Sequence, residues 1–294
     1  MTQLQSYAAG QWTAGSGDSK NLHDPATEAV LGTVHSGGVD FGAVLAHART
    51  RGAPALAGLG FRGRAELLKA LSAKLHEHRD ELIEISARNG GNTRGDAKFD
   101  LDGMTGTMAY YAGLGASLPA GNFLIDGDGV QLGRTPRFWG QHILTPRPGV
   151  AVHINAFNFP GWGMGEKMAC AILAGVPVIE KPGTASALLA YRIAQLVVES
   201  KLLPEGAFQF LAGSVSGLLD RLGPMDGVAF TGSAATGVVI RANKNLIHNS
   251  VRVTVEADSI NSAVLGPDVD LGGDTFAQFV SNIATDMTQK AGQK

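Results

Sequence analysis

Leucine and isoleucine residues follow a helical period in the first half of the chain. Between Arg62 and Asn89 they recur at intervals of three or four residues, which is typical of an amphipathic helix. The pattern ends at Asn89-Gly90-Gly91, and glycine after the last periodic residue is a common helix stop signal. We therefore predict one long helix, continuous or broken, over 62–89, and a second helix over about 98–113.

Short apolar runs alternate with helix-like segments from Pro148 onward. The predicted strands lie at 150–154, 177–180, 208–211, 227–230 and 251–255. Strands that alternate with helices form a parallel sheet with right-handed crossovers, and ligands of such sheets usually lie beyond the carboxyl ends of the strands. The residues that follow each predicted strand are therefore the candidates for binding and chemistry.

The composition limits the class of protein. At 294 residues the chain has room for about two domains. Its 24 basic and 26 acidic side chains leave a formal charge of −2, which provides no basic field for nucleic acid or an anionic membrane. The 40 glycines are scattered among apolar segments, which suits an α/β protein with many tight turns.

Cysteine and histidine usage excludes several kinds of site. Cys170 is the only cysteine, so an intrachain disulfide is impossible, and its mostly apolar helical surroundings predict a small buried thiol. His76 and His78 lie about 200° apart on one helix and cannot face one ion, so no metal role is expected. Neither a signal peptide nor an apolar run long enough to cross a bilayer is present, and we expect a cytoplasmic, soluble protein.

Asn158 follows the first strand of the alternating half. Pro160 disfavours a helical backbone at the residue before it, which keeps the turn open. A carboxamide that points outward from such a turn can donate a hydrogen bond to an oxyanion on a carbonyl substrate. The alternative is an asparagine that bonds only to the backbone of its own turn.

Features that favour an anion follow the second and fourth strands. Lys181 directly follows the second predicted strand and precedes a helix whose N-terminal amides attract negative charge. The fourth predicted strand runs into the sequence Phe230-Thr231-Gly232-Ser233. The glycine in this turn permits the close approach of a pyrophosphate. A similar turn, Gly213 to Gly217, follows the third strand, but no Gly-x-Gly-x-x-Gly fingerprint occurs at these junctions. The alternative to an anion site is that Thr184 or Ser186 only caps the helix and that the Lys181 side chain is only solvated.

Glu256 lies directly after the last predicted strand, 251–255. The two-residue period of a strand places Val251, Val253 and Val255 on one face and Glu256 on the other. With partial burial, this carboxylate can accept a proton from a thiol or a hydrolytic water near neutral pH. The alternative is a solvated side chain at a strand end.

Several stretches, in this order and spacing, resemble the aldehyde dehydrogenase superfamily, and the resemblance extends over essentially the whole chain. They are 148–150, 154–160, 181–182, 230–233 and 255–259. Within the superfamily the chain looks most like members that oxidise CoA-linked semialdehydes in aerobic phenylacetate or benzoate degradation. The resemblance implies an α/β protein with the aldehyde dehydrogenase fold.

The resemblance also implies a domain organisation. It assigns residues 1–130 to the N-terminal part of the cofactor-binding domain and 131–147 to an excursion used in oligomerisation. A Rossmann-like core with a parallel sheet then covers 148–265, and 266–294 forms only the beginning of a catalytic domain. A homo-oligomer is expected by the same analogy.

Site residues follow from the same resemblance. Asn158 matches the amide that stabilises the oxyanion, and Glu256 matches the general base. The positions expected to contact the dinucleotide are Ile154, Asn155, Ala156, Phe157, Lys181, Thr184, Gly213, Gly217, Phe230, Thr231, Gly232, Ser233, Gly237, Glu256 and Ala257.

The family's nucleophile is a cysteine that directly follows a Gly-Gln-x pattern. The sequence ends at Gly292-Gln293-Lys294, one position before that cysteine, and Cys170 is not expected to replace it. We therefore expect a truncated chain that binds dinucleotide at best and is inactive by itself.

Thr184 bears on the choice of cofactor. Many NAD-preferring members have a carboxylate at the matching position, whereas threonine is neutral. A 2′-phosphate then avoids a like charge, worth roughly 1–4 kcal/mol at contact distance, and Lys181 can attract it. We therefore expect NADP to be preferred, with NAD as the alternative.

The predicted activity is NAD(P)-dependent oxidation of a CoA-linked semialdehyde to the carboxylic acid through a cysteine thiohemiacetal and thioester. One alternative is a non-catalytic dinucleotide-binding or assembly subunit. Another is a CoA-acylating dehydrogenase, against which Glu256 argues because acyl transfer to CoA needs no hydrolytic base.

Overall fold

The computed structural model describes residues 2–259 and 261–293, apart from the side chain of Ser216. In this part of the chain the strands, numbered in chain order, are β1 (Thr2–Gln3), β2 (Gln5–Ala8), β3 (Gln11–Ala14), β4 (Ser16–His23), β5 (Val30–Gly37), β6 (Leu124–Gln131), β7 (Trp139–Leu144), β8 (Ala151–Ile154), β9 (Val178–Lys181), β10 (Phe208–Phe210), β11 (Gly227–Gly232) and β12 (Arg252–Ala257).

Helices connect most of these strands. They are α1 (Phe41–His47), α2 (Ala53–Glu77), α3 (Arg79–Gly90), α4 (Arg94–Ser117), α5 (Pro160–Leu173), α6 (Ala187–Ser200), α7 (Ser216–Leu219), α8 (Ala234–Arg241), α9 (Lys244–His248) and α10 (Asp274–Thr288). None of the helices in the described ranges is both long and apolar enough to cross a membrane.

A seven-stranded sheet in the order β12-β11-β8-β9-β10-β2-β3 forms the centre of the protein. Strands β8 to β12 run parallel to one another, as the alternating pattern predicts, and the predicted α/β class is confirmed. The antiparallel strands β2 and β3 extend one edge, because β2 pairs with β10. The N-terminal segment therefore completes the sheet of the core, which the sequence did not predict.

Helices cover both faces of this sheet. On one face, leucines and methionines of α2 to α6 form the larger apolar core together with Val178, Phe208 and Phe210. On the other face, α1, α7, α8 and α9 pack on Val152, Ile179 and neighbouring apolar residues. The ligands of a parallel sheet covered in this way usually lie beyond the carboxyl ends of its strands.

The helix predicted over 62–89 is broken once, at His78, and a second break at Gly60 lies just before the predicted range. Helix α2 changes direction at Gly60, whose φ of 63° lies in the left-handed region that favours glycine. It ends at Glu77, and α3 starts after the non-helical residue His78. The second predicted helix is α4, which extends beyond the predicted bounds at both ends.

A two-stranded hairpin projects from the fold between α4 and β8. It consists of β6 and β7, which pair with each other and not with either of the other sheets. The hairpin begins at Leu124, ahead of the expected boundary at residue 131, because the exposed segment Asp126-Gly127-Asp128-Gly129 masks the alternation of the strand. Strands β1, β5 and β4 form a separate small sheet.

Candidate active site

A cleft of about 810 Å³ lies beyond the carboxyl ends of β8, β11 and β12. Its wall comes from the segment after β8, the first turns of α5, the end of β11 and the segment after β12. The lining residues are Ala156, Phe157, Asn158, Phe159, Trp162, Gly163, Glu166, Lys167, Thr231, Gly232, Ser233, Glu256, Ala257, Asp258, Ser259 and Asn261. The cleft lies at the edge where the strand-end rule predicts a ligand, because all three strands are parallel and end there.

Asn158 lies half-buried in the turn between β8 and α5. Pro160 is the first residue of α5, as its fixed φ favours, so the turn stays open up to Phe159. The Asn158 side chain donates from Nδ2 to the carbonyl oxygen of Gln293 at 2.6 Å. A primary amide carries two N–H groups, so this bond orients the side chain and leaves a second donor for the cleft.

Glu256 and Thr231 occupy paired positions on neighbouring parallel strands. The Thr231 hydroxyl donates to Oε2 of Glu256 at 3.1 Å, and both residues line the cleft. Glu256 is exposed, so the partial burial considered from the sequence is not present. Asn158 and Glu256 nevertheless share one cleft, which places an amide donor and a carboxylate base around the same space.

The start of α8 gives the cleft a local positive end. Ser233 caps the helix and accepts a hydrogen bond from the Thr236 amide at 3.3 Å. The first amide of the helix, that of Ala234, donates to Oδ1 of Asp258 at 3.1 Å. Amides at a helix N-terminus attract negative charge, and here a side-chain carboxylate of the same cleft satisfies one of them.

Phe230 and Gly237 support this turn from behind the cleft. Phe230 is buried in the second core, and its ring packs against Gly232 so closely that a Cβ there would lie 2.6 Å from it. A Cβ at Gly237 would lie 2.8 Å from Val255, which shows how closely α8 packs on β12. Neither Phe230 nor Gly237 lines the cleft.

Lys181 and Thr184 lie at the end of β9, outside the lining of the cleft. The Lys181 ammonium is 3.4 Å from the Thr184 hydroxyl. Burial, and then the nearby charge of Lys20, lower the pKa of Lys181 to about 8. Gly183 precedes Thr184 in the same turn. A Cβ at Gly183 would be 2.7 Å from the backbone nitrogen of Phe157, so the turn after β9 contacts the turn after β8.

Asn155 faces the protein interior. Its Nδ2 donates to Oε2 of Glu180 at 2.9 Å, and Oε1 of Glu180 lies 2.6 Å from Nδ1 of His153. All three residues are buried, and Ile154 packs against the second core. The sequence did not predict this network; the signal was a glutamate directly after the apolar residues Val178 and Ile179, opposite a histidine in the neighbouring strand.

Gly213 and Gly217 lie away from the cleft. A Cβ at Gly213 would be 2.3 Å from the carbonyl oxygen of His35, and one at Gly217 would be 3.4 Å from the ring of Phe41. Gly213 therefore allows a close approach to the N-terminal part of the chain, whereas a Cβ at Gly217 would make only an ordinary contact there. Their contact with a dinucleotide stays a prediction.

The expectation of a buried Cys170 thiol is wrong. The residue is exposed, and its Sγ bonds to the hydroxyl of Tyr111 at 3.1 Å. Helix α5 buries Met168, Ala169 and Ile172, and the helical period turns Cys170 away from that face. The bond to Cys170, followed by burial, raises the pKa of Tyr111 to about 12. Cys170 does not line the cleft.

Sequence reasoning also missed Lys167 and Glu166 in the wall of the cleft. The Lys167 side chain is only 13% exposed, and its ammonium is 3.4 Å from Oε1 of Glu166. Their position on an amphipathic helix directly after Pro160 was the available signal. Among the residues that the structure describes, no group of three histidine, cysteine or acidic side chains is arranged to hold a metal ion.

Comparisons with known proteins agree with this architecture. The model of the aldehyde dehydrogenase family matches residues 12–294. A 3,4-dehydroadipyl-CoA semialdehyde dehydrogenase from Aromatoleum evansii is 47% identical over 99% of this chain and 57% of its own length. A crystal structure of an aldehyde dehydrogenase C mutant from Pseudomonas syringae, in complex with NAD+ and octanal, aligns with a TM-score of 0.83 at 25% identity, over 100% of this chain and 57% of that one.

An NADP-dependent enzyme from E. coli has the same fold, with a TM-score of 0.83 at 22% identity over 100% of this chain and 58% of that one. The chain therefore spans just over half the length of these relatives. The match to the family model and the identity over nearly the whole chain lead to one assignment. This protein belongs to the aldehyde dehydrogenase family.

Proposed function

We propose that this protein takes part in the dinucleotide-dependent oxidation of a CoA-linked semialdehyde, formed in aerobic degradation of phenylacetate or benzoate, to the carboxylic acid. The observation that carries the proposal is the presence of Asn158 and Glu256 in one cleft at the carboxyl edge of the parallel sheet. The 47% identity to a 3,4-dehydroadipyl-CoA semialdehyde dehydrogenase supports the substrate class.

The residues at the sheet edge fit a nicotinamide dinucleotide. Gly232 and the Ser233-capped start of α8 offer a turn without side-chain bulk and a helix N-terminus, which suit a pyrophosphate. Lys181 and Thr184 offer a cation and a hydroxyl for a phosphorylated ribose. When bound, the dinucleotide supplies the hydride acceptor of the reaction.

In this proposal the chain's own residues act on the substrate and on water. The free N–H of Asn158 donates to the carbonyl oxygen as negative charge develops on it. Glu256 accepts a proton from the water that releases the acid, and the Thr231 hydroxyl orients the carboxylate for that step. The thiolate that the family resemblance implies is not Cys170, because Cys170 lies outside the cleft.

The test uses the full polypeptide that the gene encodes, a CoA-linked semialdehyde and either dinucleotide. We expect reduced dinucleotide and free acid in equal amounts. Dinucleotide binding without any reduction by the full polypeptide would favour the non-catalytic subunit. Consumption of free CoA in step with reduction would favour the CoA-acylating alternative.

The proposed preference for NADP makes the affinity depend on pH through Lys181. Its pKa of about 8 leaves the ammonium charged at pH 7 and neutral well above pH 8. The charge of the 2′-phosphate is nearly constant over that range, since its second pKa is about 6. We therefore expect the ratio of NADP to NAD affinity to fall as the pH rises from about 7 to about 9.5.

Lys181→Met is expected to lower NADP affinity about tenfold at pH 7, equivalent to about 1.4 kcal/mol, and to abolish the pH dependence of that ratio. Isothermal titration of both dinucleotides measures this. Lys69→Met, which removes an exposed lysine from α2, serves as the matched control. An unchanged NADP affinity in Lys181→Met would contradict the assignment of the phosphate to this ammonium.

The β6–β7 hairpin is the proposed contact between copies of this chain. Phe138, Trp139 and Ile143 are more than half exposed, with values of 60%, 59% and 54%, and Ile125 is 63% exposed. An isolated two-stranded hairpin is marginally stable in water, and an apolar patch of this kind marks an interaction surface. Its free strand edges also allow the hairpins of two copies to pair.

Trp139→Ser combined with Ile143→Ser is expected to convert the oligomer to a smaller species, because it removes the central apolar side chains of the hairpin. Size-exclusion chromatography with light scattering measures the mass. Ile247→Ser, which changes a 64% exposed apolar residue on α9, is the control. An unchanged mass with an intact circular dichroism spectrum would rule out the hairpin as the interface.

A further inference from the structure

A fully buried ion pair lies beside the turn that carries Asn158. Lys290 and Asp100 are both 0% exposed, and Nζ of Lys290 is 3.8 Å from Oδ2 of Asp100. The ammonium also lies 4.7 Å from the ring centroid of Phe159, and it has no hydrogen-bond partner among the described residues. Burial lowers the pKa of Lys290, and the Asp100 charge opposes that shift.

Such a pair is a poor way to stabilise a fold. Removing two charges from water costs more than an imperfect pairing restores, and apolar replacements are often neutral or stabilising. A buried ammonium held by one carboxylate at 3.8 Å, without a direct hydrogen bond, is an imperfect pairing. Its presence points to a role in fixing geometry.

Asp100 connects this pair to the segment after β8. Its Oδ1 accepts from the Trp162 amide at 2.8 Å, and its Oδ2 accepts from the Gly161 amide at 3.2 Å. Both amides belong to the first turn of α5, which follows Asn158 by two residues. The carboxylate therefore holds the start of α5 from one side and Lys290 from the other.

The backbone around Lys290 is strained. Lys290 and Ala291 have φ values of 57° and 55°, so two consecutive non-glycine residues adopt the left-handed conformation. Such conformations persist only where the surrounding structure enforces them, and they cluster at functional sites. The turn brings the carbonyl oxygen of Gln293 to Asn158, while Nε2 of Gln293 donates to the carbonyl oxygen of Gly90 at 2.9 Å.

We propose that the buried Lys290–Asp100 pair is a positioning device that holds the segment 289–293 against Asn158. Through this segment, the Gln293 carbonyl fixes one N–H of the Asn158 amide and leaves the other directed at the cleft. The positioning of Asn158 by this pair does not depend on the proposed function. Its use in orienting the substrate carbonyl rests on the proposed function.

The test is the Lys290→Met variant of the 294-residue chain, labelled with nitrogen-15. Methionine fills a similar volume without charge, so the anchor is lost while the packing is largely kept. We expect the side-chain amide signals of Asn158, assigned by their absence in Asn158→Asp, to shift or broaden. We also expect the Gln293 backbone amide to exchange with deuterium at least about tenfold faster, equivalent to about 1.4 kcal/mol of local stability.

Two comparisons separate this role from a general loss of stability. Lys98→Met removes an exposed lysine from the same helix as Asp100 and should leave the Asn158 signals in place. The side-chain amide of Asn245, which bonds to the carbonyl oxygens of Leu219 and Leu222, should not move in any variant. Unchanged Asn158 signals in folded Lys290→Met would overturn the proposal.

If Lys290→Met does not fold, the double variant Asp100→Asn with Lys290→Met removes both charges together. Shifted Asn158 signals in the folded double variant support the positioning role, and unchanged signals overturn it. Turnover is not used in these measurements. If Asn158 variants kept normal activity in kinetic assays, the proposed function would therefore fail, but the positioning role of the Lys290–Asp100 pair would remain.

Discussion

Glu256→Gln in the full polypeptide that the gene encodes is expected to slow acid formation by about 10²–10⁴-fold, the usual contribution of a general base. Glutamine keeps the size of the side chain and still offers an oxygen to the Thr231 hydroxyl, so the geometry of the pair is retained. It cannot accept a proton from water. Acid release is measured by product analysis, and the dinucleotide affinity should be nearly unchanged.

Glu66→Gln is the matched control for this change, because it removes an exposed carboxylate from α2 without touching the cleft. Ordinary turnover in Glu256→Gln would remove Glu256 from the role of base. Loss of free acid with continued formation of an acyl-CoA product would instead indicate that release to CoA is the natural route.

Asn158→Ala is expected to lower kcat by about 10²–10³-fold, the usual loss when one oxyanion donor is deleted. The interaction strengthens as charge develops on the carbonyl oxygen, so kcat and kcat/KM should fall together. Steady-state kinetics with a saturating dinucleotide measures both. The substitution also leaves the Gln293 carbonyl without its partner, which makes a parallel stability measurement necessary.

Asn158→Asp provides the companion variant, since it matches the shape of asparagine but has no N–H and adds a negative charge. We expect it to be at least as slow as Asn158→Ala, because a carboxylate repels the developing oxyanion. Turnover within a factor of about two of the unchanged protein, in either variant, would exclude Asn158 as the donor.

The parallel sheet and its carboxyl edge could be predicted because their signals are local. Each of the predicted strands is a short apolar run beside a helical pattern, and the direction of the strands follows from the helices between them. The antiparallel edge could not be predicted in the same way. Strand β2 reaches the sheet by pairing with β10, about 200 residues away, and β3 follows by pairing with β2. The distant partner leaves no mark on the sequence of β2.

The same distinction applies to the site. Asn158, Thr231 and Glu256 follow strands that end at one edge, so their meeting in one cleft was predictable. The Lys290–Asp100 pair was not, because its members lie on segments that come together only after the sheet and α5 have formed. A lysine in a polar stretch ordinarily indicates a solvated side chain, and only the folded structure shows that this one is buried.

The contact between Asp258 and the first amide of α8 has a consequence for ligand entry. An anionic group that settles on that amide must exchange with a carboxylate that is already there and is tethered by the chain. The tether gives this internal competitor a fixed local concentration, so it weakens every such anion by a constant factor, whatever the anion's identity. When the anion leaves, the Asp258 carboxylate can bond to the amide again at once. This favours fast dissociation of the anion over long residence.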